Sequence, residues 1–505
     1  MRHRLGPGKP NKIRSLILIA ACFLIAAETT VAVADSVPYD TYNYDYRENI
    51  VPTPAAYVPL RSVSGVSLLW NDESIGAFQS PEDLCVSADN KVYLADTGNK
   101  RVVVLNLAMT EVLEVIDSYD YNGTKTEFGS VTGLAISNSN QLYIADKTAK
   151  RVIVLESADK DRKYVKCIEN PQSELFSEDF SFTPTKVTVD YADRVYVIAQ
   201  GKTEGIMAFD ENGEFTSFFG TIGVSLSPWQ KFWRRLATKE QRAKQQMFIA
   251  TEYTGVDIDE AGFVYATYID ENAKRSVQRL NPKGMDVIVA GENGNLSGDL
   301  DYFGTSDYSG PSMIRDVVYR GKGLYSVIDS KRGRIFTYDA EGNLLYIFGG
   351  LGSQAGTFYT PVAIEAIGNM ILVLDKNRGE IQVFTETEYG QLINQAVALR
   401  YDGDETQAVD KWMQVLKKDE NFELAAVGIG KAYLTAGDNE KAMHYLRLGN
   451  SRLYYSIAFK RYRNAFLKQH LGQILTVAII LVVLYAVIMK ILSKKNLIRK
   501  QEEVW

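Results

Sequence analysis

Histidine and cysteine are almost missing from this chain of 505 residues. There are three of each: His3, His444 and His470, and Cys22, Cys85 and Cys167. No pair of cysteines has the C-x-x-C spacing, so neither a zinc knuckle nor a disulfide framework is indicated. No histidine falls between residues 80 and 390, which speaks against a hydrolytic triad or an imidazole-held zinc in that stretch. A strong charge of one sign is also lacking. The formal net charge of -6 argues against a general nucleic-acid role. What the chain does have is apolar content, 46% of residues, enough for the cores of more than one domain.

That apolar content is patterned. Residues 91–105, KVYLADTGNKRVVVL, read as two alternating strands, 92–95 and 102–105, around the polar turn Asp96-Thr97-Gly98-Asn99. The pattern returns at 141–155 (QLYIADKTAKRVIVL), and more loosely at 324–338 and 371–384. Units begin near Pro81, Val131, Pro184, Gly255, Pro311 and Pro361, and each is followed by a strand carrying Tyr93, Tyr143, Tyr196, Tyr265, Tyr325 or Leu372. Six units of four short strands predict a mainly β, six-bladed β-propeller over residues 63–388. The last unit runs out after its third strand, at 380–384. Residues 65–70 (GVSLLW), ahead of the first unit, are the expected fourth strand that closes the ring. The repeated Asp96, Asp146, Asp329 and Asp375 each precede a tight turn, where a carboxylate accepts backbone N–H bonds. A residue needed once for catalysis would not recur in four units, so these are read as turn chemistry.

The wording of the units resembles the NHL repeat. The resemblance is carried by Pro81, Tyr93, Asp96, Asn99 and Arg101, and in the second unit by Tyr143, Asp146 and Arg151. Units three and four lack the Asp. The resemblance implies a propeller and says little about chemistry. Membrane-bound proteins of this look are often associated with sugar transport, which the resemblance implies as an expectation for this chain.

The remaining segments flank that domain. Residues 1–34 read as an export signal. A basic start is followed by an apolar run at 15–27 and by Ala32-Val33-Ala34, a small-x-small cleavage site. A lipoprotein signal ending at Cys22 and an uncleaved anchor are the alternatives. Residues 35–62, rich in Tyr, Asp and Pro, read as an extended tether. Residues 389–470 turn helical. Gly403, Ala408 and Trp412 are echoed 34 residues later by Gly437, Ala442 and Leu446. With Gly430 and Tyr433, this resembles tetratricopeptide (TPR) repeats, capped by a helix from Arg452. Residues 471–492 form an apolar run of membrane-spanning length, with Lys490 near its end, and 493–505 form a basic tail. The chain is therefore expected in the cell membrane of a bacterial envelope. A single pass would put propeller and repeats outside the cytoplasm and the tail inside.

Strand order puts the second-to-third turns and the inter-blade links on one face, where two long links interrupt the rhythm. In link 221–254, Trp229, Phe232 and Trp233 share a helical face, with Arg234 and Arg235 in the basic remainder. They either dock the helix on the propeller or meet a partner or membrane surface. In link 291–312, Tyr302, Phe303 and Tyr308 lie among Asp299, Asp301 and Asp307. Tyr302, Phe303, Asp307 and Tyr308 are candidates for sugar binding, the other reading being a solvated rim loop. Asp and Asn oxygens there admit Ca²⁺, though no EF-hand spacing is present. No other cofactor is indicated. The reading is a non-enzymatic binding or scaffolding protein whose partner is an envelope protein or glycan. The alternative is a gluconolactonase-like hydrolase with a divalent metal in the propeller channel, and a third reading is an assembly platform built on the TPR-like segment.

Overall fold

A computed structural model describes residues 37–171, 173, 176, 180–201, 205–220, 252–269, 276–289, 298–300 and 309–502. Period-2 alternation becomes antiparallel strands, and six sheets arrange themselves around an axis. The inner strands are Asp83–Val86, Val131–Ile136, Pro184–Val189, Tyr253–Ile258, Ile314–Tyr319 and Pro361–Ile367. Each touches the next, and the last touches the first, so the ring closes. Five sheets have four strands. The fourth blade has three among the described residues, extended by a bridge from Leu280 to Asp286.

The hairpin that sets this rhythm pairs Val92 with Leu105 through to Asp96 with Arg101, and the strand Val92–Asp96 is buried along its whole length. The turn needs a left-handed residue, supplied by Lys100 (φ 55), Lys150 (φ 56), Gly333 (φ 65) and Gly379 (φ 62) in four blades. Glycine is demanded in the last two. A Cβ on Gly379 would stand 2.4 Å from the Phe78 carbonyl oxygen, and one on Gly333 would stand 2.7 Å from that of Gly350.

Two expectations about the N-terminal side are corrected. The strand that closes the last blade is Tyr57–Ser64, which runs antiparallel to Glu380–Glu386 from Tyr57↔Glu386 to Ser64↔Glu380. It is not 65–70. Gly65–Ser67 is a 3-10 turn, and Leu69–Trp70 pairs with Glu73–Ser74 in a small hairpin. Pro59 and Arg61 flank a register shift that hides the alternation. An outer strand tolerates such a Pro because its N–H side needs no partner. Nor is the segment from residue 37 onward a tether. Tyr42–Tyr44 pairs with Ile50–Pro52, and Tyr42 and Tyr57 are 3% and 0% exposed. Tyrosine brings a large apolar area without apolar periodicity, and here the rings bury it against blade five.

Five helices follow: α1 (Glu388–Tyr401), α2 (Glu405–Lys418), α3 (Glu423–Ala436), α4 (Asn439–Leu448) and α5 (Arg452–Glu502). Each of the first four packs on its successor. Positions echoed at 34 residues fill equivalent places. Ala408, Trp412, Ala442 and Leu446 are buried, and Gly403 and Gly437 both take positive φ just past a helix. No linker separates helices from propeller. Thr387 directly follows the last strand, caps α1 by accepting the Gly390 N–H, and donates to the Ala55 carbonyl at 2.7 Å. Tyr57, Phe348 and Phe384 of the propeller share one apolar core with Ile393, Trp412 and Ile429 of the helices.

α5 is one unbroken helix of 51 residues. Its first turns pack through Ala458 against Ala442 and Leu446. From Ile474 to Leu492 its apolar side chains are exposed, and the helix is long and apolar enough to cross a membrane.

Candidate functional site

The repeated hairpin carboxylates are structural. Asp146 accepts from the N–H groups of Gly129 (2.6 Å), Ser130 (2.8 Å) and Ala149 (2.9 Å). Asp375 accepts from Tyr359, Thr360, Asn377 and Arg378. Asp96 and Asp329 likewise accept from Gln79 and from Met313 and Lys331. Each ties the link entering its blade to the blade's own turn, and all four are fully buried.

The chemistry of the ring lies one strand inward, at residues that the sequence reading did not single out. Pairing with the second strands defines a single layer around the axis: Asp83, Gly133, Lys186, Gly255, Asp316 and Ala363. Charged residues come from blades one, three and five, and small ones from the blades between. The Lys186 ammonium bonds both the Asp83 carboxylate and, at 3.3 Å, that of Asp316. A side chain that joins alternate blades spans the axis, so this triad plugs the channel. The small residues make room for it. A Cβ on Gly255 would lie 2.6 Å from the Asp316 Cα, and one on Gly133 would lie 2.8 Å from the Lys186 Cα. Each carboxylate also holds the next blade, Asp83 accepting from Leu134 N (2.8 Å) and Asp316 from Ile364 N (3.2 Å).

The electrostatics of the triad follow from burial. Burial alone would strip the Lys186 proton, but Asp316 and Asp83 outweigh it and hold the ammonium charged. Burial also pushes Asp83 up to about 6, with Lys186 opposing and Asp316 adding to the rise. One layer down, Asp257 and Glu365 are ringed by protein yet partly open to channel solvent. Burial lifts Asp257 to about 7, against N–H bonds from Tyr319 (2.6 Å) and Ile258. Glu365 is lifted by burial and then by Asp257, Asp316 and Asp83. The signal for these groups was present in the sequence, as isolated charges inside the inner-strand stretches DLCV, PTKVTV, YTGVDI and PVAIEAI and as the Arg315-Asp316 pair in IRDVVY.

These donors do not suit a divalent cation. The two carboxylates that face across the axis already share an ammonium, and among the described residues no group of three or more His, Cys, Asp or Glu converges as a metal site. The candidates in the long links, Trp229, Phe232, Trp233, Arg234, Arg235, Tyr302, Phe303, Asp307 and Tyr308, lie outside the described residues. Their neighbour Asp299 is described, and it is engaged internally. At 1% exposure it accepts from Tyr42 and Tyr44 and pairs with Arg334 at 2.6 Å and Arg332 at 3.4 Å. It clamps the N-terminal hairpin to blade five and is not presented to a ligand.

Beside that clamp an open cleft of about 600 Å³ lies between the N-terminal hairpin, the outer loop of blade five, and the α2–α3 and α4–α5 corners. Two of its walls are locked together. Glu341 of blade five meets Arg400 of α1 at 2.6 Å and Lys431 of α3 at 2.5 Å. Burial opposes ionisation of Glu341, but the two cations prevail and hold its carboxyl below the usual range.

A closed ring of six sheets with a charged plug defines a six-bladed β-propeller. The NHL repeat family model matches residues 78–105, the first hairpin and the strand before it. No curated protein matches the chain. Among solved structures, virginiamycin B lyase from Staphylococcus aureus is 11% identical, with a TM-score of 0.40, over 66% of this chain and 100% of its own. A protein of unknown function from Bacteroides thetaiotaomicron is 13% identical, with a TM-score of 0.42, over 67% and 79%. The PQQ-bound aldose sugar dehydrogenase from Streptomyces coelicolor is 11% identical, with a TM-score of 0.36, over 65% and 97%. Likenesses at that level carry no argument about this chain's chemistry.

Proposed function

We propose that this protein is a single-pass membrane protein that holds a β-propeller outside the cytoplasm to bind an envelope protein or a glycan. The observation that carries the reading is the continuity of α5. The helix starts as a packed cap on the helical segment, read here as TPR-like, and runs without a break into an exposed apolar stretch. From Arg452 to Ile474 it rises about 33 Å at 1.5 Å per residue, so the propeller stands clear of the bilayer. The export signal at 1–34 and the basic residues after 493 orient it with the tail inside. The strand into α1 leaves the propeller on the face opposite the inter-blade links, which directs the link-rich face away from the membrane. The link to sugar transport rests on the NHL resemblance alone.

The gluconolactonase-like alternative needs a cation in the channel. The Lys186 ammonium between Asp83 and Asp316 weighs against it by supplying that positive charge from the chain itself. The test uses the full chain in cells and in detergent. The protein is expected to resist alkaline carbonate extraction and to expose its propeller to external protease. Replacing Leu481 and Leu484 by Arg should release it, since each central charge costs about 3 kcal/mol of insertion. A screen against envelope polysaccharides and lactones, with and without Ca²⁺, decides between the readings. Metal-dependent lactone turnover would overturn the binding reading, and full extraction of the unaltered chain would overturn the anchor.

A further inference from the structure

The cleft between propeller and helices shares no residue with the channel plug, and its walls are built from three parts of the chain that only the fold brings together. Glu423, at the start of α3, joins two of them. It accepts from the Tyr46 N–H of the N-terminal hairpin at 2.9 Å and from the Asn450 side-chain amide at the α4–α5 corner at 2.6 Å. Its volume falls in the range of about 300–1,000 Å³ usual for small-molecule sites.

Two of the charged groups around the cleft are answered internally. Asp419 accepts from the Tyr389 hydroxyl and from Asn421 N, both at 3.0 Å. Lys431 is held by Glu341 and lies 4.1 Å from the centre of the Tyr454 ring. Three carboxylates, Asp45, Asp419 and Glu423, line the cleft against two cations, Lys431 and the exposed Arg452, and Lys431 is already held by Glu341, so acidic groups prevail and a phosphate is disfavoured. Apart from Arg452, what stays open is neutral. The Asn421 side-chain amide and the Asn450 amide oxygen have no partner among the described residues, and together they offer donors and acceptors. Beside them stand the half-exposed Tyr46 ring, with the Arg47 guanidinium 5.1 Å from its centre, and an apolar wall that includes Phe422 and Leu453. Neutral amides next to an aromatic face and an apolar floor match a ligand with hydroxyl edges and C–H faces.

We propose that this cleft binds a short neutral oligosaccharide, with Asn421 and Asn450 meeting hydroxyls and Tyr46 and Leu453 meeting the sugar faces. The proposal rests on the reading of the chain as an extracytoplasmic binding protein, and it places a binding site away from the propeller's link-rich face.

The experiment is calorimetric titration of the full chain in a polyoxyethylene detergent, because maltoside detergents would compete. The titrants are maltotriose, cellotriose and xylotriose, with trilysine and inorganic phosphate as controls. At least one trisaccharide is expected to bind. Asn421→Ala removes the free amide, and Leu453→Trp fills the cleft from an exposed position. Each should weaken that binding by about tenfold or more while the melting temperature stays near that of the unaltered chain. Retention on the matching insoluble polysaccharide, compared with binding of the free trisaccharide, tells a wall polymer from a diffusing sugar. The proposal is overturned if no trisaccharide binds, if binding survives both substitutions, or if trilysine or phosphate binds in place of sugar. Sugar binding that survives both substitutions would remove the cleft but leave the binding reading intact. Loss of membrane retention would remove that reading without touching the titration.

Discussion

A single lysine decides the state of the channel. Lys186 is 8% exposed and is shared by Asp83 and Asp316, which are 3% and 5% exposed. Removing it strands two buried carboxylates, so Lys186→Met is expected to cost about 3–5 kcal/mol in denaturant unfolding. Adding Asp83→Asn to that variant should recover part of the loss, because the two sites are coupled. Asp257 gives a second residue-scale test. Its carboxyl titrates near 7 in the folded chain against an ordinary value of 3.8. The folded state therefore holds this proton more tightly than the unfolded chain does. Stability from this group falls as pH climbs between those values and is flat above them. Asp257→Asn should remove that part of the slope, read as melting temperature against pH. If the slope is unchanged, the carboxyl is not held protonated.

Among the elements, the closing strand carries the clearest consequence. If Tyr57–Ser64 completes the last blade, a chain starting at residue 37 refolds cooperatively, and one starting at residue 65 does not. The two are compared in detergent by guanidinium unfolding followed by circular dichroism. The sequence-based assignment of 65–70 to this strand predicts that both refold, which separates the alternatives. The hairpins themselves were legible, since alternation and turn residues recur with little change in blades one and two. Their carboxylates were legible too, as turn chemistry, because repetition in four blades excludes a unique role. The closing strand was not. Pro59 and Arg61 break its alternation, and its partner lies more than three hundred residues away. Burial of Tyr42 and Tyr57 escaped for a similar reason, as no local pattern says which tyrosine finds a core.

For the molecule as a whole, the join between propeller and helices governs rigidity. Glu341 bridges Arg400 and Lys431 across that join. Its folded titration is depressed, so its contribution is present above the ordinary carboxylate range and is lost as pH falls through the folded value. Glu341 is 39% exposed at its side chain, and screening limits Glu341→Gln to about 1 kcal/mol. The expected readout is faster amide exchange in α3 with the propeller blades unchanged. Faster exchange throughout would mean that the join is not a separate unit of stability.

The sequence by itself determined the number of blades, the faces on which turns and links emerge, the helical segment and the long apolar run. Each of these depends on periodicity within a few tens of residues, and local sterics and hydrophobic burial read that periodicity directly. Tertiary structure alone decided which N-terminal strand closes the ring, which charges meet on the axis, and which three segments wall the cleft. Those depend on residues brought together from distant parts of the chain. Asp83, Lys186 and Asp316 are ordinary letters in three separate strands until the closing of the ring forces them into one dry layer.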